Sequence, residues 1–456
     1  MGSTSLHIAM YPWFAIGHLR PFLYLSNKLA QKGNKISFFI PTNTQPKMKP
    51  LNLYPDRITF FPVTVPPVDG LPPDAETTSD VPPTLYPNLM TAMDRTENQI
   101  DLLLRDLKPD IVFFDFAYWV PKLTRKLGIK SILYCVSSAA AIGYTLVPVR
   151  QRSGYHSEAE LMQPPSGFPD SSITLHPHEA RFLTAFAKVK FGSDVLFLDR
   201  IFTSFAQADA LGFWACREIE GPCIDYLVSQ FEKPVLVSGP ILVDPPASTF
   251  EEKWVEWLGS FKAGSVIYCA LGSECKLTKD QFQELILGLE LCGWPFLAAL
   301  KPPFGAESIE EALPEGFEER IKGKGMVHGG WVQQRLILGH PSIGCFVTHC
   351  GSSSLLEALR SECQFVMLPQ LIDQIITAKM MAKSLKVGVE VERGEDAGLF
   401  TKESVCKAVR AVMEVDSEVG RLVRANHAIL RDVLVSEDLQ SSYIDSFSQK
   451  LKHLVG

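Results

Sequence analysis

The first residue of this chain that could do chemistry is a histidine near its beginning. His18 lies in the segment AIGHLRP, directly after a short apolar run. A neutral imidazole has a pKa of about 6.5 and can accept a proton from a hydroxyl group at neutral pH. A lone histidine in a loop is more often a surface or capping residue, so the residue type alone leaves both roles open.

A second group of polar side chains follows the apolar run Ile343 to Val347. It comprises His349 and the hydroxyls of Ser352, Ser353 and Ser354, and the helix-forming residues Leu355 to Leu359 come next. The pattern predicts a strand, a tight turn and a helix start. A helix N-terminus exposes unpaired N–H groups and the positive end of the helix dipole, so this corner suits a phosphate. Serines before a helix are also ordinary N-caps.

The same stretch contains further side chains that could bind a nucleotide sugar. Trp331 offers a ring for a base, Gln334 and Glu357 offer polar groups for a ribose, and Asp373 with Gln374 could hold a sugar. Each type has an ordinary structural role as well, since a tryptophan often packs in a core and an aspartate often caps a helix.

These residues need elements to position them, and the apolar pattern supplies two alternating series of strands and helices. The first includes strands at Leu6 to Met10, Lys35 to Ile40 and Ile58 to Val63, and one helix from Asn88 to Leu107. The run DIVFFD reads as a buried parallel strand with Asp115 at its carboxyl end, where ligands of open α/β sheets gather. Asp115 could equally cap the next helix.

The second series includes strands at Val266 to Leu271 and Pro295 to Leu300 and a helix from Thr278 to Cys292. The Pro- and Gly-rich stretch GPILVDPPAST separates the two series and is the best linker candidate. We therefore predict an α/β protein with domains at residues 1–240 and 253–437, joined by a linker at 241–252, and a last helix at about 438–456.

Two segments of the first series show no such periodicity. Residues 64–87 are rich in proline and acids and predict an ordered loop without a strand interior. Residues 150–190 are irregular and suggest an inserted surface element near a substrate mouth. His176 and His178 flank a proline there, have no third ligand nearby, and are interpreted as loop residues rather than a metal site.

Composition excludes several classes of protein. The 456 residues are 46% hydrophobic and 21% charged, which suits a globular protein of two domains. A net charge of −7 without a basic cluster argues against a nucleic-acid surface. The ten cysteines are scattered without CxxC pairs, and no run of 18 apolar residues occurs, so we expect reduced thiols in a cytoplasmic protein. We also expect a monomer. No Asp-x-Asp pair suits a diphosphate-bound metal, so no metal is expected.

The 44 residues from Trp331 to Gln374 resemble the signature box of plant secondary-product UDP-glycosyltransferases, with its opening Trp, its HCG turn and its terminal Asp-Gln. The likeness extends along the whole chain and is closest to the branch that adds a second sugar to flavonoid or anthocyanidin 3-O-glycosides. The resemblance implies the GT-B fold, in which two Rossmann-like domains face each other across a cleft and the last helix crosses back onto the first domain.

The resemblance also assigns roles. It implies that His18 is the catalytic base, that Asp115 holds the far ring nitrogen of that histidine, and that the sugar is transferred with inversion from a UDP-sugar to a hydroxyl group. Ser273, in ALGSE, is matched to a serine near the phosphates, although it could equally be a capping hydroxyl. Ser138 is placed within reach of the donor sugar by a looser alignment.

Within the box, the resemblance implies that Trp331 stacks on uracil and that Gln334 and Glu357 hold ribose and uridine. Asp373 and Gln374 would bind the sugar hydroxyls. The donor-binding set of the box is completed by the following residues: Val332, His349, Gly351, Ser352, Ser353 and Ser354.

The box departs from the family pattern at two places. The usual Trp-x-Pro-Gln reads WVQQ, and the usual HCGWNS reads HCGSSS. Ser352 replaces a tryptophan and Ser353 an asparagine, so a ring beside the sugar is lost and an amide contact becomes a hydroxyl. These changes leave the choice of donor sugar open, since Gln374 suits glucose while xylose also occurs in the closest branch.

We therefore expect transfer of glucose or xylose to a sugar hydroxyl of a flavonoid 3-O-glycoside, with small molecules as the only partners. The alternatives are transfer to an aglycone hydroxyl, a non-catalytic binder of nucleotides or phenolics, and an epimerase of the same architecture.

Overall fold

The computed structural model describes residues 5–153, 157–241, 250–395 and 397–456. Its strands, in chain order, are β1 His7–Tyr11, β2 Lys35–Pro41, β3 Ile58–Val63, β4 Ile111–Phe114, β5 Lys130–Cys135, β6 Ala210–Phe213, β7 Val235–Val237, β8 Val266–Ala270, β9 Phe296–Ala299, β10 Gly325–His328, β11 Ile343–Thr348, β12 Gln364–Met367 and β13 Gly388–Glu390.

The helices are α1 Ile16–Gln31, α2 Gln45–Met48, α3 Tyr86–Asp94, α4 Glu97–Leu107, α5 Val120–Leu127, α6 Ala139–Thr145, α7 Pro148–Ser153, α8 Glu158–Met162, α9 Pro177–Ala187, α10 Phe197–Gln207, α11 Arg217–Phe231, α12 Glu252–Gly259, α13 Lys279–Cys292, α14 Phe317–Ile321, α15 Gln334–Leu338, α16 Ser352–Ala358, α17 Ile372–Lys379, α18 Lys402–Met413, α19 Glu418–Leu434 and α20 Glu437–Val455. Short 3₁₀ turns lie at Lys49–Leu51, Thr78–Asp80, Pro83–Leu85 and Glu310–Ala312, and a π-helical turn lies at Met380–Ser384.

The strands form two separate parallel sheets, as the alternating pattern predicts. The first has seven strands in the order β3-β2-β1-β4-β5-β6-β7, and the second has six in the order β10-β9-β8-β11-β12-β13. Both sheets are wound outward from a central pair, which places a crevice at the carboxyl ends of the strands where the order reverses. The predicted α/β class, with two Rossmann-like sheets, is confirmed.

The core lies on both faces of each sheet, because the crossover helices cover the strands from either side. In the first sheet, Ile8 of β1 pairs with Ile36 on one side and Ile111 on the other, and all three are fully buried. All ten cysteines are free thiols, and all but Cys135 and Cys275 are buried.

The last helix, α20, packs on the first sheet. Its residues Ile444, Phe447 and Leu451 are buried in the same cluster as the strand residues Ile8 and Ile36. The domain limits themselves stay a prediction, and residues 242–249 of the predicted linker lie outside the described residues.

The single helix predicted from Asn88 to Leu107 is in fact two helices, α3 and α4. The break falls at Thr96, whose Oγ1 contacts the buried hydroxyl of Tyr11 at 2.6 Å and donates to the carbonyl of Met93 at 2.6 Å. A buried hydroxyl requires a partner, so this tertiary contact outweighs the local preference for one continuous helix.

The segment 150–190 is more regular than predicted. It contains α8, α9 and the end of α7, and α8 is too short, at five residues, to show a helical period in the sequence. The interpretation of both histidines as loop residues is wrong for His178, which lies in the first turn of α9, whereas His176 is the N-cap. The segment packs against the second half of the chain, since His178 Nδ1 lies 3.3 Å from the carbonyl of Glu395.

Candidate active site

His18 and Asp115 meet because their strands are neighbours. β1 pairs in parallel with β4, so Tyr11 lies beside Phe114 and the residues that follow both strands emerge at one edge of the sheet. The prediction that His18 lies in a loop is wrong, because α1 already begins at Ile16 and His18 lies in its first turn. Its Nδ1 is 2.7 Å from Oδ2 of Asp115. The side chain of Asp115 is 7% exposed, whereas that of His18 is 22% exposed and reaches solvent.

Both oxygens of the Asp115 carboxylate have hydrogen-bond partners. Its Oδ1 accepts hydrogen bonds from the backbone N–H groups of Trp13 and Phe116, each at 2.7 Å. It does not cap α5, whose N-cap is Trp119. A carboxylate at Nδ1 favours the tautomer with the proton on that nitrogen, which leaves Nε2 of His18 free to accept a proton.

The serine-rich turn has the predicted strand, turn and helix, with Gly351 as the N-cap of α16. The ring of His349 packs between Gly351 and Gly272, where an added Cβ would lie 2.5 Å and 2.6 Å from its Nε2. Burial lowers the pKa of His349 to about 4, so this imidazole is neutral at pH 7 and can donate one hydrogen bond. Ser353 and Ser354 lie in the first turn of the same helix.

Gln334 and Glu357, both expected at the ribose and uridine, are bonded to each other. Gln334 Nε2 donates to Glu357 Oε2 at 2.8 Å and to Ser354 Oγ at 3.2 Å. Gln334 Oε1 accepts from the hydroxyl of Tyr268 at 3.3 Å. Burial raises the pKa of Glu357, while the bond from Gln334 and the nearby guanidinium of Arg335 lower it. Gln334, Glu357, Ser354 and Tyr268 therefore form one hydrogen-bonded network next to the serine-rich turn.

The end of the box lies on α17 and faces the first sheet. Burial raises the pKa of Asp373, whereas hydrogen bonds from the backbone N–H groups of Asp373 and Gln374 and from the hydroxyl of Ser137 lower it. Asp373 Oδ2 accepts from Ser137 Oγ at 3.4 Å. Gln374 Oε1 accepts from the N–H groups of Gln370 and Leu371 at 3.0 Å each, so only its NH₂ group is left for a ligand.

Four further candidates are Trp331, Val332, Ser273 and Ser138. Trp331 is 71% exposed, so its ring is accessible for stacking, and Val332 beside it is buried. Ser273 is exposed at the end of β8, next to Glu274. Ser138 caps α6 by accepting from Ala141 N, and its Oγ also contacts Thr377 Oγ1 of α17 at 2.8 Å.

Ser352 is partly exposed in the first turn of α16, where the family has a tryptophan. A cavity of about 330 Å³ lies along the same helix, lined by Ser353 and Glu357 on one side and by Tyr24 and Trp214 on the other. The cavity is therefore lined by residues of both halves of the chain.

Sequence reasoning missed the residues that join the two halves around the cleft. Thr78 Oγ1 donates to Glu274 Oε1 at 2.5 Å, and Thr78 N–H donates to the carbonyl of Phe14, close to His18. Tyr268, Ser137 and Thr377 were missed as well, although serine and threonine at strand and helix ends were a visible signal.

The described residues contain no group of three or more His, Cys, Asp or Glu side chains that could hold a metal ion. Within the same ranges, no helix is both long and apolar enough to cross a membrane. The site therefore combines three features: the base candidate His18, uncharged hydrogen-bond donors at the start of α16, and the polar side chains of Asp373 and Gln374 on α17.

Residues 263–427 match the family model described as UDP-glucoronosyl and UDP-glucosyl transferase. The chain is 62% identical over 457 residues to a cyanidin 3-O-galactoside 2''-O-xylosyltransferase of Actinidia chinensis var. chinensis, with 100% of both chains covered. It is 58% identical over 459 residues to an anthocyanidin 3-O-glucoside 2''-O-glucosyltransferase of Ipomoea nil, again with 100% of both covered.

Solved structures share the fold at lower identity. A Glycyrrhiza uralensis UDP-glycosyltransferase complexed with glycyrrhetinic acid 3-O-monoglucuronide superposes with a TM-score of 0.80 at 21% identity, over 99% of this chain and 96% of that one. A UDP-glucose:anthocyanidin 3-O-glucosyltransferase in complex with UDP gives a TM-score of 0.78 at 21% identity, over 99% and 100%.

Proposed function

This chain belongs to the UDP-glycosyltransferase family, and we propose that it transfers glucose or xylose from a UDP-sugar to a sugar hydroxyl of a flavonoid or anthocyanidin 3-O-glycoside. The observation that carries the proposal is the His18–Asp115 pair at 2.7 Å. It lies at the carboxyl end of the first sheet, where Ser137, which follows β5, contacts Asp373 of the donor box at 3.4 Å. The acceptor class is supported by the two relatives at 62% and 58% identity, which act on 3-O-glycosides of this kind.

In this mechanism His18 Nε2 takes the proton from the acceptor hydroxyl. The acceptor oxygen forms a bond to the anomeric carbon as the bond from that carbon to UDP breaks, and the electron pair leaves with the diphosphate. Attack from the opposite face inverts the anomeric centre. The carboxylate of Asp115 stabilises the imidazolium ion that forms, and its bonds from Trp13 and Phe116 keep it aligned.

The second half of the chain would hold the donor. Trp331 stacks on uracil beside Val332, Gln334 and Glu357 bind the ribose, and Asp373 with the NH₂ of Gln374 binds the sugar. The diphosphate lies at the start of α16, where the donors are His349, Ser353, Ser354 and the backbone around Gly351 and Ser352. Ser273 lies at the end of the neighbouring strand. Because charge builds on the diphosphate as the bond breaks, these donors stabilise the transition state more than the ground state.

We assign neutralisation of the diphosphate to these donors rather than to a metal ion, because the sequence has no Asp-x-Asp pair suited to one. Ser138, whose hydroxyl is shared between α6 and Thr377, acts in this proposal on the donor sugar only through the position of α17. The monomeric state and the cytoplasmic location stay predictions.

The test is a mass-spectrometric screen that crosses UDP-glucose, UDP-xylose, UDP-galactose and UDP-rhamnose with flavonoid aglycones and their 3-O-glycosides. We expect a product one sugar heavier only with the 3-O-glycosides, and loss of that product in His18→Ala. Products formed from the aglycones and not from the 3-O-glycosides would show that the acceptor is an aglycone hydroxyl. Undiminished turnover in His18→Ala would rule out the base, and UDP-sugar binding without any product would favour a non-catalytic binder.

A further inference from the structure

Helix α17, which carries Asp373 and Gln374, is held by charged side chains near both of its ends. At its start, Arg393 Nη2 donates to the carbonyl of Pro369 at 2.6 Å. At its end, Lys379 Nζ lies 3.5 Å from Oε1 of Glu390, the last residue of β13. These contacts come from the same half of the chain as the helix itself.

One further charge comes from the first half of the chain. Glu179 Oε2 lies 3.1 Å from Lys379 Nζ, and the two side chains are 4% and 1% exposed. Glu179 is itself fixed in the first turn of α9, because the same oxygen accepts from the backbone N–H of His176 at 2.7 Å. Lys379 therefore lies between two carboxylates, of which Glu390 belongs to the same half of the chain and Glu179 comes from the other half.

A buried ion pair contributes little to stability, because removing two charges from water costs about as much as their attraction returns. Its clear physical effect is on geometry, since each charge must stay beside the other. Lys379 lies six residues after Asp373 on one helix, which corresponds to about 9 Å along the axis. A helix this short moves as a rigid body, so a displacement at Lys379 is passed on to Asp373 and Gln374.

We propose that Glu179 and Lys379 form an interdomain latch that positions α17 against the donor sugar. Both are positioning residues, because they act through Asp373 and Gln374 and do not touch the sugar. The inference rests on the proposed function, in which those two residues bind the sugar part of the donor. It gives the segment around α9, which the sequence placed near a substrate mouth, a role in donor binding.

The latch makes a prediction that separates UDP from a UDP-sugar. UDP contacts only the nucleotide part of the site, whereas UDP-glucose and UDP-xylose also reach α17. Calorimetric titration of Glu179→Gln, Lys379→Met and the double variant should therefore give UDP affinities within about twofold of wild type. The affinity for the UDP-sugars should fall about tenfold or more, since small misplacements of binding groups weaken binding steeply.

The double variant distinguishes positioning from a merely structural role. Lys379→Met leaves the carboxylate of Glu179 buried without its cation and should unfold at a lower temperature, whereas the double variant also removes that charge and should recover most of the wild-type Tm. Its affinity for the UDP-sugars should nevertheless stay low. The matched control is Lys383→Met, which removes an exposed contact of the same segment, 3.1 Å from the carbonyl of Ser172, and should leave both affinities unchanged.

A double variant that binds UDP and the UDP-sugars in the wild-type ratio overturns the latch. The proposed function is tested separately, by the transfer assay with wild-type protein. Wild-type protein that binds UDP-sugars but does not transfer them refutes the proposed function, whereas the latch is still decided by the titrations of the variants. Wild-type protein that binds no UDP-sugar refutes both.

Discussion

Asp115→Asn is the sharpest test of the catalytic pair, because the structure dictates how the new amide must orient. Oδ1 of Asp115 accepts from two backbone N–H groups, those of Trp13 and Phe116, whereas Oδ2 faces Nδ1 of His18. The asparagine oxygen must keep the Oδ1 place, because an NH₂ group there would face two donors. Its NH₂ group then points at His18 Nδ1, forces that nitrogen to accept, and moves the imidazole proton to Nε2.

A histidine protonated on Nε2 cannot accept the proton of the acceptor hydroxyl. Where a carboxylate orients a catalytic histidine, this change lowers kcat about ten-thousandfold, or about 5 kcal/mol of transition-state stabilisation. Steady-state kcat, measured as UDP released from the best UDP-sugar and acceptor pair, should fall by this amount. The Kd for UDP should be unchanged, and the Tm should stay close to wild type because both backbone N–H groups keep an acceptor.

Two further variants complete this test. Asp115→Ala should lose as much kcat but should also lower the Tm, since two backbone N–H groups lose their acceptor at about 1–3 kcal/mol each. Asp110→Asn is the matched control, because Asp110 lies at the other end of β4 and accepts from His7 N at 2.7 Å. It should keep kcat within about twofold. Asp115→Asn that retains more than a tenth of wild-type kcat would refute the assigned tautomer and the role of Asp115.

Three other variants probe the rest of the site and the fold. Burial raises the pKa of Glu220 from 4.5 to about 7, so the folded state binds this proton more tightly than the unfolded state does. The free energy of unfolding should therefore fall by roughly 3 kcal/mol between pH 4.5 and 7. In denaturant titrations Glu220→Gln should flatten this pH dependence, and an unchanged slope would contradict the prediction. Glu357→Gln should weaken UDP about tenfold in calorimetry by removing a charged acceptor for the ribose, and equal affinity would exclude that contact. Gly272→Ala places a Cβ 2.6 Å from the His349 ring and should lower kcat about a hundredfold, whereas Gly264→Ala, also at positive φ but with no atom within 4 Å, should cost stability only.

Much of the fold could be predicted because apolar runs and glycine-containing turns are local signals. The runs at β1, β4 and β11 are mostly apolar and buried, as parallel strands must be. The break at Thr96 could not be predicted, since it depends on the hydroxyl of Tyr11, which lies far away in the sequence. The short helix α8 was also missed, because five residues are fewer than two helical turns.

The candidate site divides in the same way. His18, Asp115 and the serine turn were recognisable because each follows an apolar strand in a motif of fixed spacing. The commitment of Gln374 Oε1 to the backbone of its own helix, and the bond between Gln334 and Glu357, were not recognisable. Side-chain partners of this kind depend on backbone positions that only the packed structure brings within 3 Å of each other.

The sequence by itself determined the two alternating series of strands and helices, a histidine and an aspartate that each follow an apolar strand, and the candidate donor box, because periodicity and short motifs act over a few residues. Only the tertiary structure decided how the two halves meet. The contacts of Ser137 with Asp373, Thr78 with Glu274 and Glu179 with Lys379 each join residues far apart in the chain. Such pairs leave no local pattern, since hydrogen bonds and ion pairs depend on distance in space and not on separation along the chain.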